Sequence, residues 1–230
     1  MNRVDGEPAI PLAPDGRASI LGALGAAAVA WAASALLPPG AFASALAWLG
    51  VLLFLGALFF VNFFRDPSRT PPSGDRLLVS PADGRVLFVE PEVDEPRFLG
   101  SRAAMVSIFM SPLDVHVNRA PIDGEVERVQ YNPGRYFAAY SDKASLDNEQ
   151  NAVVLRTGDG RRVLFIQIAG FLARRIVCRV KPGERVRRGE RVGMIKLGSR
   201  VDVWVTGDVR LRVKSGDRVR AGETVLGELA

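Results

Sequence analysis

The sequence predicts an all-β-dominated domain of repeated hairpins, preceded by an N-terminal transmembrane helical hairpin. Three observations predict it. No charged side chain occurs between Ala18 and Phe64, whereas charges recur every few residues from Arg65 onward. Beyond Arg65, valines alternate with polar residues at a period of two, as in Val201, Val203 and Val205 around Asp202 and Trp204. Two internal repeats built around glycine turns occupy the same region.

The uncharged stretch comes first. About 20 apolar residues in a helix span a hydrocarbon core of about 30 Å. Ala18–Leu37 fits one crossing, Pro38-Pro39-Gly40 breaks the helix, and Ala41–Phe64 fits a second. Arg3 and Arg17 precede the pair and Arg65, Arg69 and Arg76 follow it, so the positive-inside tendency predicts both flanks in the cytoplasm. A signal peptide, suggested by Ala41-Phe42-Ala43, leaves the second apolar stretch unexplained. The expected organisation is a tail over 1–17, a membrane hairpin over 18–64 and a soluble domain over 65–230.

The chain carries 30 basic and 25 acidic residues, a formal charge of +5. It has no Lys/Arg-rich run interleaved with aromatics, which sets nucleic acid aside as a partner. An anionic membrane surface suits the basic balance better. One Cys (Cys178) and one His (His116) exclude an internal disulfide and a Cys/His zinc site, so no metal is expected. Cys178, in an apolar run, reads as packing.

The soluble region is punctuated by Gly- and Pro-containing turns every eight to twelve residues and has no long 3.6-residue apolar period. Arg179–Val192 returns 33 residues later as Arg212–Val225, with ten of fourteen positions identical. Pro81-Ala-Asp-Gly-Arg-Val86 is echoed by Pro121-Ile-Asp-Gly-Glu-Val126. Duplicated hairpins of this kind resemble the barrel-sandwich, lipoyl-like fold, in which Gly serves turns and Val packs the inner face. That fold hosts enzymes, swinging-arm carriers and adaptors. A carrier needs a modifiable Lys at a hairpin tip. Lys181, Lys196 and Lys214 lack that context, and Asp142-Lys143-Ala144 falls outside the repeats.

Five motifs occur in order: Phe63-Phe-Arg-Asp-Pro67, Ser80-Pro-Ala-Asp-Gly84, Ser111-Pro-Leu-Asp-Val-His-Val-Asn-Arg-Ala-Pro121, Asn148-Glu-Gln-Asn151 and Gly193-Met-Ile-Lys-Leu-Gly-Ser199. Together they resemble the phosphatidylserine decarboxylase family, in its short bacterial/archaeal branch, over roughly Phe63 to Val205. The resemblance implies an inactive precursor that cuts itself at Gly198–Ser199. The Ser199 hydroxyl attacks the Gly198 carbonyl to give an ester, and β-elimination frees 1–198 and leaves dehydroalanine at 199. Hydrolysis then releases ammonia and leaves a pyruvoyl group on 199–230. A neutral hydroxyl needs a base and an aligned peptide for such an attack. By the same resemblance His116 is the base and Asp83 orients it, as in a catalytic triad. The pyruvoyl forms a Schiff base with the substrate amine and replaces pyridoxal phosphate as electron sink. His116 then protonates the carbanion. The substrate implied is phosphatidylserine, the product phosphatidylethanolamine, and the address the cytoplasmic side of the inner membrane. The chains 1–198 and 199–230 are expected to stay associated, and a homo-oligomer is compatible with the sequence. Many relatives carry a second His three positions after the first; here that position is Arg119.

Leu-Gly-Ser-Arg occurs twice, at Leu99–Arg102 and Leu197–Arg200. The first copy lacks the flanking strand patterns and reads as a loop, which leaves Ser199 as the nucleophile rather than Ser101. Asp123-Gly124 reads as a turn, and Asp114 as ordering its own turn. Arg135, Arg174, Arg175 and Arg200 could hold the phosphate or carboxylate of a lipid, although each is expected at the surface. The alternatives are a membrane-anchored lipoyl-like adaptor without enzymatic activity, or a decarboxylase of a related lipid such as archaetidylserine.

Overall fold

The uncharged stretch folds as two helices, α1 (Arg17–Leu36) and α2 (Ala41–Phe63), parted where the prolines cannot continue the helical ladder. Each ends one residue before the expected limit. The computed structural model describes residues 11–135, 148–170, 175–196 and 199–230. The chain divides into two units, Met1–Pro67 and Ser68–Ala230.

Small residues let the helices approach closely: Ala27, Ala30, Ala43 and Ala57 are buried. A Cβ on Gly50 would lie 2.4 Å from the Trp31 indole nitrogen. That indole N–H donates to the Ala47 carbonyl at 3.2 Å, and the Ser34 hydroxyl donates to the Ala43 carbonyl at 2.7 Å. Close packing of small residues with interhelical hydrogen bonds suits a solvent in which apolar contact alone gives no driving force. Leu21, Val29, Phe42, Trp48 and Leu52 are exposed. Both helices are long and apolar enough to cross a membrane, which is compatible with membrane association.

The second unit is strand-dominated, as the alternation predicts. Its main sheet contains β2 (Gly84–Glu95), β3 (Ser101–Met110), β5 (Gly124–Asn132), β6 (Gln150–Arg156), β7 (Arg162–Ala169), β9 (Arg185–Val186), β11 (Ser199–Val205) and β13 (Arg218–Val219). The order across this sheet is β13-β2-β3-β11-β7-β6-β5-β9. Two three-stranded sheets complete the unit. One joins β1 (Leu77–Val79), β14 (Val225–Leu229) and β12 (Val209–Leu211). The other joins β4 (Val117–Arg119), β10 (Arg191–Lys196) and β8 (Arg175–Cys178). The inner face of the main sheet supplies the core through residues such as Val106, Ile108, Phe165, Val201 and Val203. Its outer face carries a smaller apolar cluster that includes Leu164, Ile166 and Trp204.

The internal repeats become a quasi-symmetric pair of clasps. The first copy (179–192) adds β9 beside β5, and the second (212–225) adds β13 beside β2. Equivalent backbone bonds recur: Gly183 N–H donates to Val126 O, and Gly216 N–H to Val86 O. The carboxylates that open β2 and β5 also match. Asp123 accepts from Arg188 N–H at 2.9 Å, and Asp83 accepts from Ala221 N–H at 2.8 Å. The Leu99–Arg102 segment differs from the expected loop, since β3 already begins at Ser101 and pairs there with Glu95.

Candidate active site

Ser199 opens β11, the strand between β3 and β7, in register with Met110 on one side and Ala169 on the other. It is fully buried. Its hydroxyl donates to the Met110 thioether sulfur at 3.3 Å, which fixes the direction of its proton and leaves the oxygen lone pairs directed elsewhere. Ser101, in the other copy of the same tetrapeptide, is exposed. Gly198 and Leu197 lie outside the described residues.

Behind Met110 runs a chain of buried amides. Asn118 Nδ2 donates to the Met110 sulfur at 3.7 Å, and Gln167 Nε2 donates to Asn118 Oδ1 at 2.9 Å. Asn151 Nδ2 in turn donates to Gln167 Oε1 at 3.1 Å. All three amides are nearly or wholly inaccessible to solvent. In such surroundings each partner fixes the rotamer of the next, because a missed bond is expensive. The backbone beside Ser199 is gripped as well. Asn148 Nδ2 donates to the Ala169 carbonyl at 2.7 Å, and Ala169 N–H donates to the Glu149 carbonyl at 2.9 Å. The Asn148–Asn151 motif therefore braces the strand opposite Ser199.

His116 is buried at the mouth of β4. Asp114 shapes the preceding turn by accepting from Ser111 N–H at 2.8 Å. The imidazole Nδ1 lies 2.9 Å from the Asp114 backbone carbonyl. A carbonyl oxygen can only accept, so in the neutral ring Nδ1 carries the proton and Nε2 presents a basic lone pair. Nε2 is itself shielded from solvent. The His116 carbonyl accepts from Ile195 N–H at 3.4 Å, linking it to β10, the strand that leads toward Ser199.

Asp83 has two described ties. Its Oδ1 takes the Ala221 amide, the loop-closing bond that Asp123 also makes. Its Oδ2 receives Arg69 Nη2 at 2.9 Å, and Arg69 Nη1 reaches Glu223 Oε2 at 2.7 Å. The ion pair with Arg69 distinguishes Asp83 from its repeat equivalent. Arg119 is buried, with Nη1 donating to the Gly189 carbonyl at 2.8 Å. A guanidinium has no acceptor and keeps its proton, so Arg119 cannot replace a second imidazole as a base.

Of the arginines considered for an anion, Arg135 and Arg175 are exposed as expected, and Arg174 lies outside the described residues. Arg200 departs from the surface expectation: it is buried and paired with Asp202 at 2.6 Å, on the face of β11 opposite the Ser199 hydroxyl. Lys143 lies outside the described residues. Met110 and Gln167 belong to no motif, Asn118 lies in the His116 motif without an assigned role, and Arg69 figures in the sequence only as a charge flanking the apolar stretch. One signal was available: Gln167 is the lone polar residue in the apolar run Val163–Ala169.

A family model described as phosphatidylserine decarboxylase matches residues 57–227. The chain is similar to a phosphatidylserine decarboxylase proenzyme of Symbiobacterium thermophilum, with 50% identity over 181 residues covering 79% of this chain and 84% of that one. The proenzyme of Ralstonia nicotianae is 49% identical over 187 residues, covering 81% and 86%. That of Syntrophus aciditrophicus is 46% identical over 164 residues, covering 71% and 76%.

Proposed function

Because the chain belongs to the phosphatidylserine decarboxylase family, a family of enzymes, we propose that it converts phosphatidylserine to phosphatidylethanolamine with a pyruvoyl group made from its own Ser199. The carrying observation is the burial of Ser199 at the head of β11 with its hydroxyl oriented by Met110, in contrast to the exposed Ser101. These residues fit the group: the serine from which it is made sits away from bulk water, and a buried imidazole in the basic tautomer belongs to the same unit.

In this reading the Ser199 hydroxyl rotates from the Met110 sulfur toward Nε2 of His116, which accepts its proton as the oxygen attacks the Gly198 carbonyl carbon. The Asp114 carbonyl sets the tautomer of His116, while Asp83, expected to orient that imidazole, is itself held by Arg69 and the Ala221 amide. A pyruvoyl group supplies an electrophilic ketone that captures the substrate amine and draws off the electron pair left by departing carbon dioxide. His116 would supply the proton that replaces the lost carboxylate; that proton leaves in the product's new C–H bond and the imidazole is reprotonated from water, so one imidazole would serve both stages, since Arg119 cannot act as a base.

The cut is expected to leave 1–198 and 199–230 associated. β11 keeps seven register pairs with β3 and seven with β7, β13 pairs with β2, and β14 pairs with β1. Val201, Val203, Val219, Leu226 and Leu229 from the short segment remain in the common core. The helical hairpin is proposed to anchor the enzyme in a bacterial inner membrane with the catalytic unit in the cytoplasm, following its flanking arginines.

Intact-mass measurement of the purified protein tests the reading. Two chains are expected, 1–198 and 199–230, the smaller lighter by one ammonia than its sequence. Cleavage disappears in Ser199→Ala and persists in Ser101→Ala. A single uncut chain in every sample, after prolonged incubation with phosphatidylserine membranes, sinks the proposal and leaves the non-enzymatic adaptor.

A further inference from the structure

Along β11, Ser199, Val201, Val203 and Val205 turn to the inner face, whereas Arg200, Asp202 and Trp204 alternate onto the outer one. There they line a cavity of about 540 Å³ whose apolar walls include Phe88 and Met105. Two donors lining this cavity are buried and have no hydrogen-bond acceptor, Arg200 Nη1 and Trp204 Nε1. Neither side chain is free to swing to water. Arg200 is 4% exposed, held by its Nε bond to Asp202 and by the Phe88 ring, 5.4 Å below the guanidinium. Leaving a buried donor without an acceptor is costly, most of all the charged Arg200, so these two donors on one cavity point to a ligand that supplies acceptor oxygens.

The remaining charges define what those oxygens are attached to. The cavity is lined by four carboxylates and two guanidiniums. Asp202 is matched by Arg200. Buried Glu95 is matched by the Phe98 and Leu99 amides and by Arg97. Glu90 and Asp94 are exposed at the rim, Asp94 with Arg102 Nε 3.5 Å away. A free phosphate dianion is repelled by this net-negative lining, whereas a phosphodiester that carries an ammonium group is accommodated. Its anionic oxygens meet Arg200 and Trp204, its ammonium meets Glu90 and Asp94, and its carbon chain lies against Phe88 and Met105. We propose that this outer-face cavity binds a zwitterionic phosphodiester-amine, the chemistry of an aminophospholipid headgroup, as a second site separate from Ser199. It does not rest on the catalytic reading, because the Ser199 hydroxyl faces the other side of the sheet.

The test is calorimetric titration of full-length Ser199→Ala protein in detergent with glycerophosphoethanolamine, inorganic phosphate, or mixed micelles containing phosphatidylethanolamine. Ser199→Ala cannot form the pyruvoyl group, so binding to it survives even if the decarboxylase reading fails. Saturable binding of the phosphodiester-amine is expected, with inorganic phosphate weaker by roughly tenfold or more, as repulsion from the rim carboxylates requires. Arg200→Gln/Asp202→Asn removes the buried pair together and leaves no lone charge; it should weaken binding by about tenfold or more. Trp204→Phe, which deletes only the indole N–H, should weaken it by roughly threefold to tenfold and decides the matter should the double variant misfold. Tighter binding of the micellar lipid identifies the membrane as the source, and tighter binding of the soluble compound identifies a water-soluble phosphodiester; either supports the site. No saturable binding, or binding unchanged by both variants, overturns it.

Discussion

Replacing Gln167 by Leu tests whether the buried amide chain holds the site together. Gln167 links Asn118 and Asn151 through bonds of 2.9 and 3.1 Å, with all three side chains buried. The substitution leaves Asn118 Oδ1 and Asn151 Nδ2 without those partners, at about 1–3 kcal/mol each. Burying the leucine side chain in nearly the same volume returns about 1.5–3 kcal/mol. The net loss is therefore about 2 kcal/mol, survivable within the 5–15 kcal/mol of an ordinary domain (about this range for natural proteins). The single mutant Asn118→Leu should be destabilised comparably. The double mutant should be less destabilised than the sum of the two by more than about 1 kcal/mol, because no amide is then stranded at that joint. Denaturant unfolding in the Ser199→Ala background keeps one chain per molecule, and Trp204, the sole tryptophan of the second unit, reports on it. Additivity of the two singles within about 0.5 kcal/mol would refute the reasoning. With Ser199 intact, Gln167→Leu should also slow the proposed self-cleavage, since Asn118, the donor to the Met110 sulfur, loses the partner that fixes it.

Gly193→Ala places a Cβ 2.1 Å from the Val177 carbonyl oxygen and 3.1 Å from Gln167 Nε2; it should part β10 from β8 and lower stability by about 3 kcal/mol or more in denaturant titration. Asp83→Asn strips the charge facing the mostly buried Arg69, which keeps Glu223; a loss of about 1–3 kcal/mol is expected, and a change below about 0.5 would mean that Glu223 alone satisfies Arg69. The Thr157 hydroxyl, by donating to Asp159, holds that carboxyl below its ordinary value of 3.8. A depressed carboxyl favours the folded turn above the ordinary value, and that contribution is lost as pH falls through the depressed one. Thr157→Val should therefore move the Asp159 titration, followed by NMR, upward toward its ordinary range; an unmoved midpoint would assign the shift to Arg161 instead.

Much of this architecture is legible from the chain because its signals are local. The charge-free stretch gives both helices to within a residue, and the alternation from Val201 to Val205 gives β11. The repeats announce duplicated hairpins. Their similarity cannot say that the first copy clasps β5 and the second β2, a pairing decided by loop closure across the whole unit. Motifs nominate Ser199, His116 and Asp83 as candidates and contain Asn118 and Asn151, but nothing in them says that these two amides join through Gln167. Asn118 and Gln167 are 49 residues apart, and their contact exists only once the strands are in register. Arg200 was misjudged for a related reason. Among 26 arginines composition favours the surface, and only the pairing of β11 on both sides buries that side chain.

The double pairing of β11 has a bearing on the working lifetime of the molecule. An electrophile grown from the backbone, as the proposed pyruvoyl group would be, has no dissociable reserve, so a damaged or lost copy could not be reloaded from a cellular pool as a diffusible coenzyme would be. The segment that bears it is stitched into the sheet along both of its rails, and exchange would require two rows of hydrogen bonds to open at once. If the proposed pyruvoyl group is made, each molecule is a single-issue catalyst whose useful life ends with its own unfolding or chemical wear.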